Sequence, residues 1–184
     1  MDDRQIIEGF FCRDENAITE LAQKYGGYCF AIANNILEQD EDAEECVNDT
    51  YLGVWNAIPP QRPKSLLAFV CRIARNISIN RFTRDPSRKN GAYSVCFDEL
   101  QECIPSNETV EARYDADELS RLIDEFLDTL DRRNRMLFVR RYYYMDQFAD
   151  IASAAGMKEG AVRTRLSRLR GKLKDFLESR GVDV

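Results

Sequence analysis

No histidine occurs anywhere in the 184 residues. That removes the commonest general base and the commonest zinc ligand at a stroke. A metal site would have to be all cysteine or carboxylate, yet Cys12, Cys29, Cys46, Cys71, Cys96 and Cys103 are scattered and none forms a C-x-x-C pair. Several of them fall on apolar helix positions and read as small buried thiols of a reducing compartment. No nucleophile–base pair and no glycine-rich phosphate loop is present, so no catalytic residue, metal or cofactor is expected and the chain is not read as an enzyme. No apolar run is long enough to cross a bilayer and no secretory leader pattern is found, which leads us to expect a soluble, cytoplasmic protein. Strand-like alternation is missing as well. The expected fold class is all-α.

What is present is charge, and it is sorted. The formal net charge of −6 argues, as an average, against nucleic acid. The average misleads, because the signs are segregated. Seven acids and no base lie between Glu38 and Asp49, whereas six bases (Arg72, Arg75, Arg81, Arg84, Arg88, Lys89) and the single acid Asp85 lie between Arg72 and Lys89. A second basic block lies near the C-terminus. One acidic face and two basic ones predict more than one partner.

Taken in order, a short helix is expected around Ile6 to Phe11 and a longer one from about Asp14 to Ile36, with Gly26-Gly27 as a potential bend. The next helix has Asp40 as its expected N-cap, and Ala43, Cys46, Val47, Thr50, Tyr51, Val54, Trp55 and Ile58 keep a strict three–four spacing. Pro59-Pro60 stops it. Ser65 is the expected N-cap of a helix reaching about Thr83, with Leu66, Phe69, Val70, Ile73, Ala74 and Ile77 on its buried stripe. These helices make a first domain, residues 1–90. Residues 91–112 read as a flexible acidic linker carrying Pro105, Ser106 and Asn107, with a short helical piece around Phe97 to Cys103. Residues 113–184 form a second small helical domain. Its first helix runs from about Tyr114 to Leu130, and Asp131 caps the next, whose bulk comes from Met136 to Val139 and Tyr142 to Tyr144.

The most informative stretch is Gln147 to Leu173. Ile151, Ala152 and Ala155 give a short helix one apolar side, Gly156 suits a chain reversal needing positive φ, and Val162, Leu166, Leu169 and Leu173 recur on one face of a second helix. This is a helix-turn-helix pattern. The second helix and its start carry Lys158, Arg163, Arg165, Arg168, Arg170, Lys172 and Lys174 against the single acid Glu159. A buried seam backed by a basic face is what a helix entering the DNA major groove requires. A solvated charged surface helix is the alternative.

Three stretches together resemble a known family: DAEECVNDTYLGVW (Asp42 to Trp55), LLAFVCRIARNISINRFTR (Leu66 to Arg84) and EGAVRTRLSRLRGKL (Glu159 to Leu173). In this order and spacing the chain resembles a bacterial RNA polymerase sigma factor of the extracytoplasmic-function type, over nearly its whole length. The resemblance implies a region-2 domain whose acidic helix docks on core RNA polymerase through Asp42, Glu45, Asn48 and Asp49; the alternative is a solvated face. It implies that Arg72, Arg75, Asn76, Asn80, Arg81 and Arg84 read and melt the downstream (−10) promoter element. The bases would meet the backbone of the melted non-template strand, and the asparagines a base edge. Asn76 could instead brace neighbouring backbone. It implies that Arg163, Thr164, Ser167 and Arg168 contact bases and phosphates of the upstream (−35) element in duplex DNA. Arg165, Arg170 and Lys172 are better placed on the backbone, which positions without specifying.

Three residues depart from the family's usual pattern: Phe69 for tryptophan, Asn80 for aspartate, and Lys158 for a capping serine at the start of the recognition helix. Lys158 could act there as a phosphate contact. The implied partners are core RNA polymerase, promoter DNA and an anti-sigma factor, though nothing in the chain identifies the last. A stand-alone helix-turn-helix regulator remains the alternative function, one that leaves the acidic helix and the Arg/Asn helix no task beyond packing.

Overall fold

The computed structural model describes residues 1–85, 92–101, 103 and 116–182. Every regular element among them is an α-helix, and they fall into two compact units, Met1–Tyr93 and Ser94–Val184.

The first unit opens with α1 (Asp3–Phe11), longer than expected because Asp2 and Gln5 form a capping box that satisfies the first orphan amides. Helix α2 (Asn16–Leu37) runs through Gly26-Gly27 without a break. Gly26 is needed for a different reason: a Cβ there would lie 2.7 Å from the Tyr51 hydroxyl, so the glycine lets the next helix approach. That helix is α3 (Asp40–Ala57). Asp40 is not its N-cap. Glu38 ends α2 in the left-handed conformation, Gln39 is extended and takes the cap position without a side-chain cap bond, and Asp40 becomes the first helical residue. With Glu41 and Asp42 it places negative charge on the positive end of the helix dipole. Helix α4 (Leu66–Arg84) starts at Ser65 as expected, the Ser65 hydroxyl accepting from the Ala68 amide at 3.3 Å.

Helices α2, α3 and α4 pack on one another, and α1 lies against α2. The core they share holds Ile6, Phe10, Leu21, Cys29, Val54, Ile58, Leu66, Val70 and Ala74, each at most 1% exposed. Burying an aliphatic side chain of this size is worth about 1.5–3 kcal/mol, so truncating Leu21 or Ile58 would open a cavity the unit cannot readily close. Phe10 meets Trp55 edge to face at 6.0 Å, and Arg13 covers the same indole while donating to the Trp55 carbonyl.

In the second unit, α6 (Ala116–Thr129) packs on α9 (Glu159–Ser179), and α7 (Arg132–Tyr142) packs on both α8 (Phe148–Ala155) and α9. Asp131 caps α7 as expected, accepting from the Arg133 and Asn134 amides at 2.9 and 3.0 Å. The start of α6 proposed at Tyr114 lies outside the described residues. The expected seam is present: Ile151, Val162, Leu166, Leu169 and Leu173 are buried with Leu122, Phe126, Leu137, Phe138 and Leu177. Gly156 stands at φ +61 between α8 and α9, a conformation that would strain any residue with a Cβ.

Half of the expected linker, residues 91, 102 and 104–112, lies outside the described residues. Within it stands α5 (Ala92–Gln101), which begins earlier than the helical piece expected from Phe97. Its Cys96 is fully buried and donates to the Arg141 carbonyl at 3.6 Å, tying this helix to α7.

Candidate nucleic-acid interface

On α9 the buried positions 162, 166, 169 and 173 leave the opposite side to solvent. Arg163, Thr164, Arg165, Ser167 and Arg168 all stand exposed on it. Lys158 occupies the N-cap position with extended backbone and makes no side-chain cap bond; the Ala161 amide donates instead to the Lys158 carbonyl at 3.0 Å. The Thr164 hydroxyl donates to the Gly160 carbonyl at 2.9 Å, which fixes its rotamer and leaves its lone pairs outward. Arg163 reaches back to Glu159 at 3.5 Å, an exposed pair worth a few tenths of a kcal/mol.

Arg170 does not belong to this surface. It follows Leu169 and precedes Leu173 by three, so its side chain turns toward α7. Only 18% exposed, it donates to the Tyr142 hydroxyl at 2.9 Å and pairs with Glu99 of α5 at 3.3 Å. Glu99 also takes Arg141 at 2.9 Å and the Tyr142 hydroxyl at 3.0 Å. Arg141 is 2% exposed and spends another N–H on the Asp146 carbonyl at 3.1 Å. One carboxylate thus serves two guanidiniums and a phenol. Burial pushes the Tyr142 hydroxyl well above the usual phenol range, so it stays protonated and can donate. Sequence reading missed this cluster: Arg141 counts as a charged residue in an apolar stretch, and Glu99 as one acid among several in a linker. The only available signal was Arg141 itself, flanked by bulky residues on a helix whose opposite positions are already polar.

On α4, Arg72, Asn76, Asn80 and Arg84 are exposed and Arg75 is half-buried. The Arg72 guanidinium lies 5.5 Å from the centre of the buried Phe69 ring. Asn76 and Asn80, one helical turn apart, share one side. Arg88 and Lys89 lie outside the described residues. Arg81 is engaged elsewhere: it bridges Asp42 and Glu45 on α3, each at 2.6 Å. The Arg81 hydrogen bond holds the Glu45 carboxyl below its usual range, and the same contact raises Arg81 further. Three residues expected to face two different partners are therefore bound to each other. Asn48 and Asp49 remain exposed on α3, and Leu52, three residues beyond Asp49, is 58% exposed. The sequence reading passed over Leu52, which falls off the apolar stripe of α3.

Residues 21–87 match the family model for sigma-70 region 2, and residues 120–173 match that for sigma-70 region 4; together they cover well over half of the chain. The chain belongs to the sigma-70 family. It is 23% identical over 158 residues to the ECF RNA polymerase sigma factor SigE of Mycolicibacterium smegmatis. That alignment covers 86% of this chain and 60% of the relative, so the chain spans about three fifths of that protein's length. A solved structure of CnrH in complex with the cytosolic domain of CnrY is 22% identical with a TM-score of 0.44, covering 96% of this chain and 97% of that one. The region-2 match takes in α3 and α4 with their ten candidate contact residues, and the region-4 match takes in the exposed side of α9. Helix α5 lies outside both matches. Among the described residues no group of side chains is arranged to hold a metal ion, and no helix is long and apolar enough to cross a membrane.

Proposed function

We propose that this sigma-70 family member is the dissociable specificity subunit of RNA polymerase: it binds the core enzyme and directs initiation at its own promoters without making or breaking bonds itself. In this reading the region-2 unit docks on core polymerase through the α3 face of Asp42, Glu45, Asn48 and Asp49. The exposed Leu52 supports it, since an apolar side chain among acids suits a protein partner better than solvent. Arg72, Arg75, Asn76, Asn80 and Arg84 on α4 take the melted downstream element, where a basic helix prefers the single strand and amides can examine a base edge. The region-4 unit places α9 in the major groove of the upstream element. Arg163 and Arg168 are its guanine readers, and Lys158, Arg165, Thr164 and Ser167 contact phosphates or neighbouring bases. Arg170 drops out of the contact set, and Arg81 joins only when it leaves Asp42 and Glu45.

The observation that carries the proposal is the pairing of the two matched regions, in order, on one chain with sign-segregated exposed faces. In vitro transcription with core polymerase and a randomised promoter library tests it. Promoter-dependent transcripts that require the chain, and its co-purification with core enzyme, are expected. A chain that binds duplex DNA as a dimer and neither co-purifies nor initiates would be a stand-alone regulator and would overturn the proposal.

A further inference from the structure

Phe148 is the first residue of α8, and its ring is claimed twice. The Arg163 guanidinium lies 3.9 Å from the ring centre and the Arg141 guanidinium 4.1 Å from it. The two arginines differ in every other respect. Arg141 is buried and fixed by Glu99 and the Asp146 carbonyl; Arg163 is 58% exposed, on the outer side of α9. A half-buried aromatic ring thus joins an immobile cation to a solvent-facing one.

We propose that Phe148 is the positioning residue for Arg163, fixing its guanidinium plane before DNA arrives, with Arg141 and Glu99 holding the ring in place from the interior. The inference rests on Arg163 reading a base. A free arginine has four rotatable side-chain bonds, and a bidentate contact to guanine O6 and N7 demands a single orientation of the fork. Stacking on a ring face occupies the flat side of the guanidinium and leaves its N–H edges outward, the geometry in which Arg combines the two interactions. The ring cannot swing away with Arg163, because its other cation is locked. Glu159, at 3.5 Å and exposed, restrains Arg163 only at one nitrogen and gives no plane.

The test is a selection from a randomised duplex library, done with the full chain and repeated with Arg163→Ala, Phe148→Leu and Phe148→Tyr, with a thermal melt of each. Arg163→Ala identifies the base pair whose preference depends on that arginine. Phe148→Leu is expected to lower discrimination at that same pair by about fivefold, with the other positions unchanged, and Phe148→Tyr to restore it. Binding that falls equally at every position, in step with a lowered melting temperature, would make Phe148 a packing residue only and overturn the proposal. An unaltered profile for Phe148→Leu beside an altered one for Arg163→Ala overturns the stack alone. An unaltered profile for Arg163→Ala overturns the base-reading role of Arg163 and the proposal with it.

Discussion

Removing the Glu99 carboxylate should unfold the second unit well before the first. Arg141 sits at 2% exposure with Glu99 as its carboxylate partner at 2.9 Å, and Arg170, at 18% exposure, shares the same group. Deleting one member of a buried pair leaves an uncompensated charge and costs about 3–5 kcal/mol. Glu99 itself is 18% exposed, and Arg141 retains the Asp146 carbonyl and the Phe148 ring, so the lower end, about 3 kcal/mol, is expected for Glu99→Ala. That is a large share of the 5–15 kcal/mol that holds a typical domain together. At a urea slope of about 1–2 kcal/mol/M for a unit this small, the midpoint should fall by roughly 2 M. The single tryptophan, Trp55, lies in the first unit and serves as an internal reference: its fluorescence transition should not move, while the circular-dichroism transition of the second unit should. Asp98→Ala, one residue away and exposed, should stay within about 0.5 kcal/mol. The double change Glu99→Leu with Arg141→Met removes both charges and should be less damaging than Glu99→Ala alone. A cost for Glu99→Ala below about 1 kcal/mol, or equal to that of Asp98→Ala, refutes the view that this carboxylate ties α5 to the second unit.

Four further outcomes are expected. Lys158→Ser should stabilise the second unit by about 1 kcal/mol through a restored cap and flatten the salt slope of duplex binding by about 0.9, both read from urea titrations and filter binding at several salt concentrations. On α3, Asp49→Lys should weaken binding to core polymerase about tenfold, while Arg81→Met, which releases Asp42 and Glu45, should strengthen it severalfold; a matched loss in both would contradict the assignment of that face. Native protein treated with Ellman's reagent at pH 8 should release one fast thiol, Cys12, because the other five are buried and burial pushes Cys29 up to about 12 and Cys71 up to about 11. Asp131, held below the usual carboxyl value by the Asn134 and Arg133 amides, should contribute stability above about pH 4 that is lost as the pH falls through its depressed folded value, so the melting-temperature gap to Asp131→Ala should be full at pH 7 and close in acid.

The helices and their buried stripes were legible because each repeats the same apolar spacing for several turns, and the α8–α9 turn because glycine takes φ +61 at Gly156 with the least strain. Position along the stripe also located the outward residues of α9. What could not be read was which charges would find one another. Arg81 lies 39 residues from Asp42, and Glu99 lies 71 from Arg170; no periodicity links positions so far apart, and only the packing of α3 on α4 and of α5 on the second unit brings them within reach. Asp40 failed as a cap for a local reason, since the left-handed Glu38 and extended Gln39 set the helix start one residue earlier than the acid pattern suggested.

These pairings bear on how the two signs of charge are used. A surface read from sequence as acid on α3 and base on α4 is, at its centre, a bridge of one guanidinium and two carboxylates: Arg81 partly neutralises Asp42 and Glu45, and the remaining negative charge of α3 is shared with Asp49 and the exposed acids around it. An ion pair of this kind holds two helices in register at small net cost in free energy when exposed, and it can be traded for an intermolecular pair if a partner offers equivalent charge. Arg170 is a different case. With 18% exposure and bonds to both Tyr142 and Glu99, giving it to DNA would remove one of the two guanidiniums on Glu99 and the donor to the Tyr142 hydroxyl inside the unit, so the exchange is unfavourable. Burial therefore separates the charges of this chain into those free to be exchanged with a partner and those fixed by folding. By that criterion the recognition surface of α9 narrows to Lys158 and the exposed run from Arg163 to Arg168, with Arg163 the member whose orientation the interior already controls.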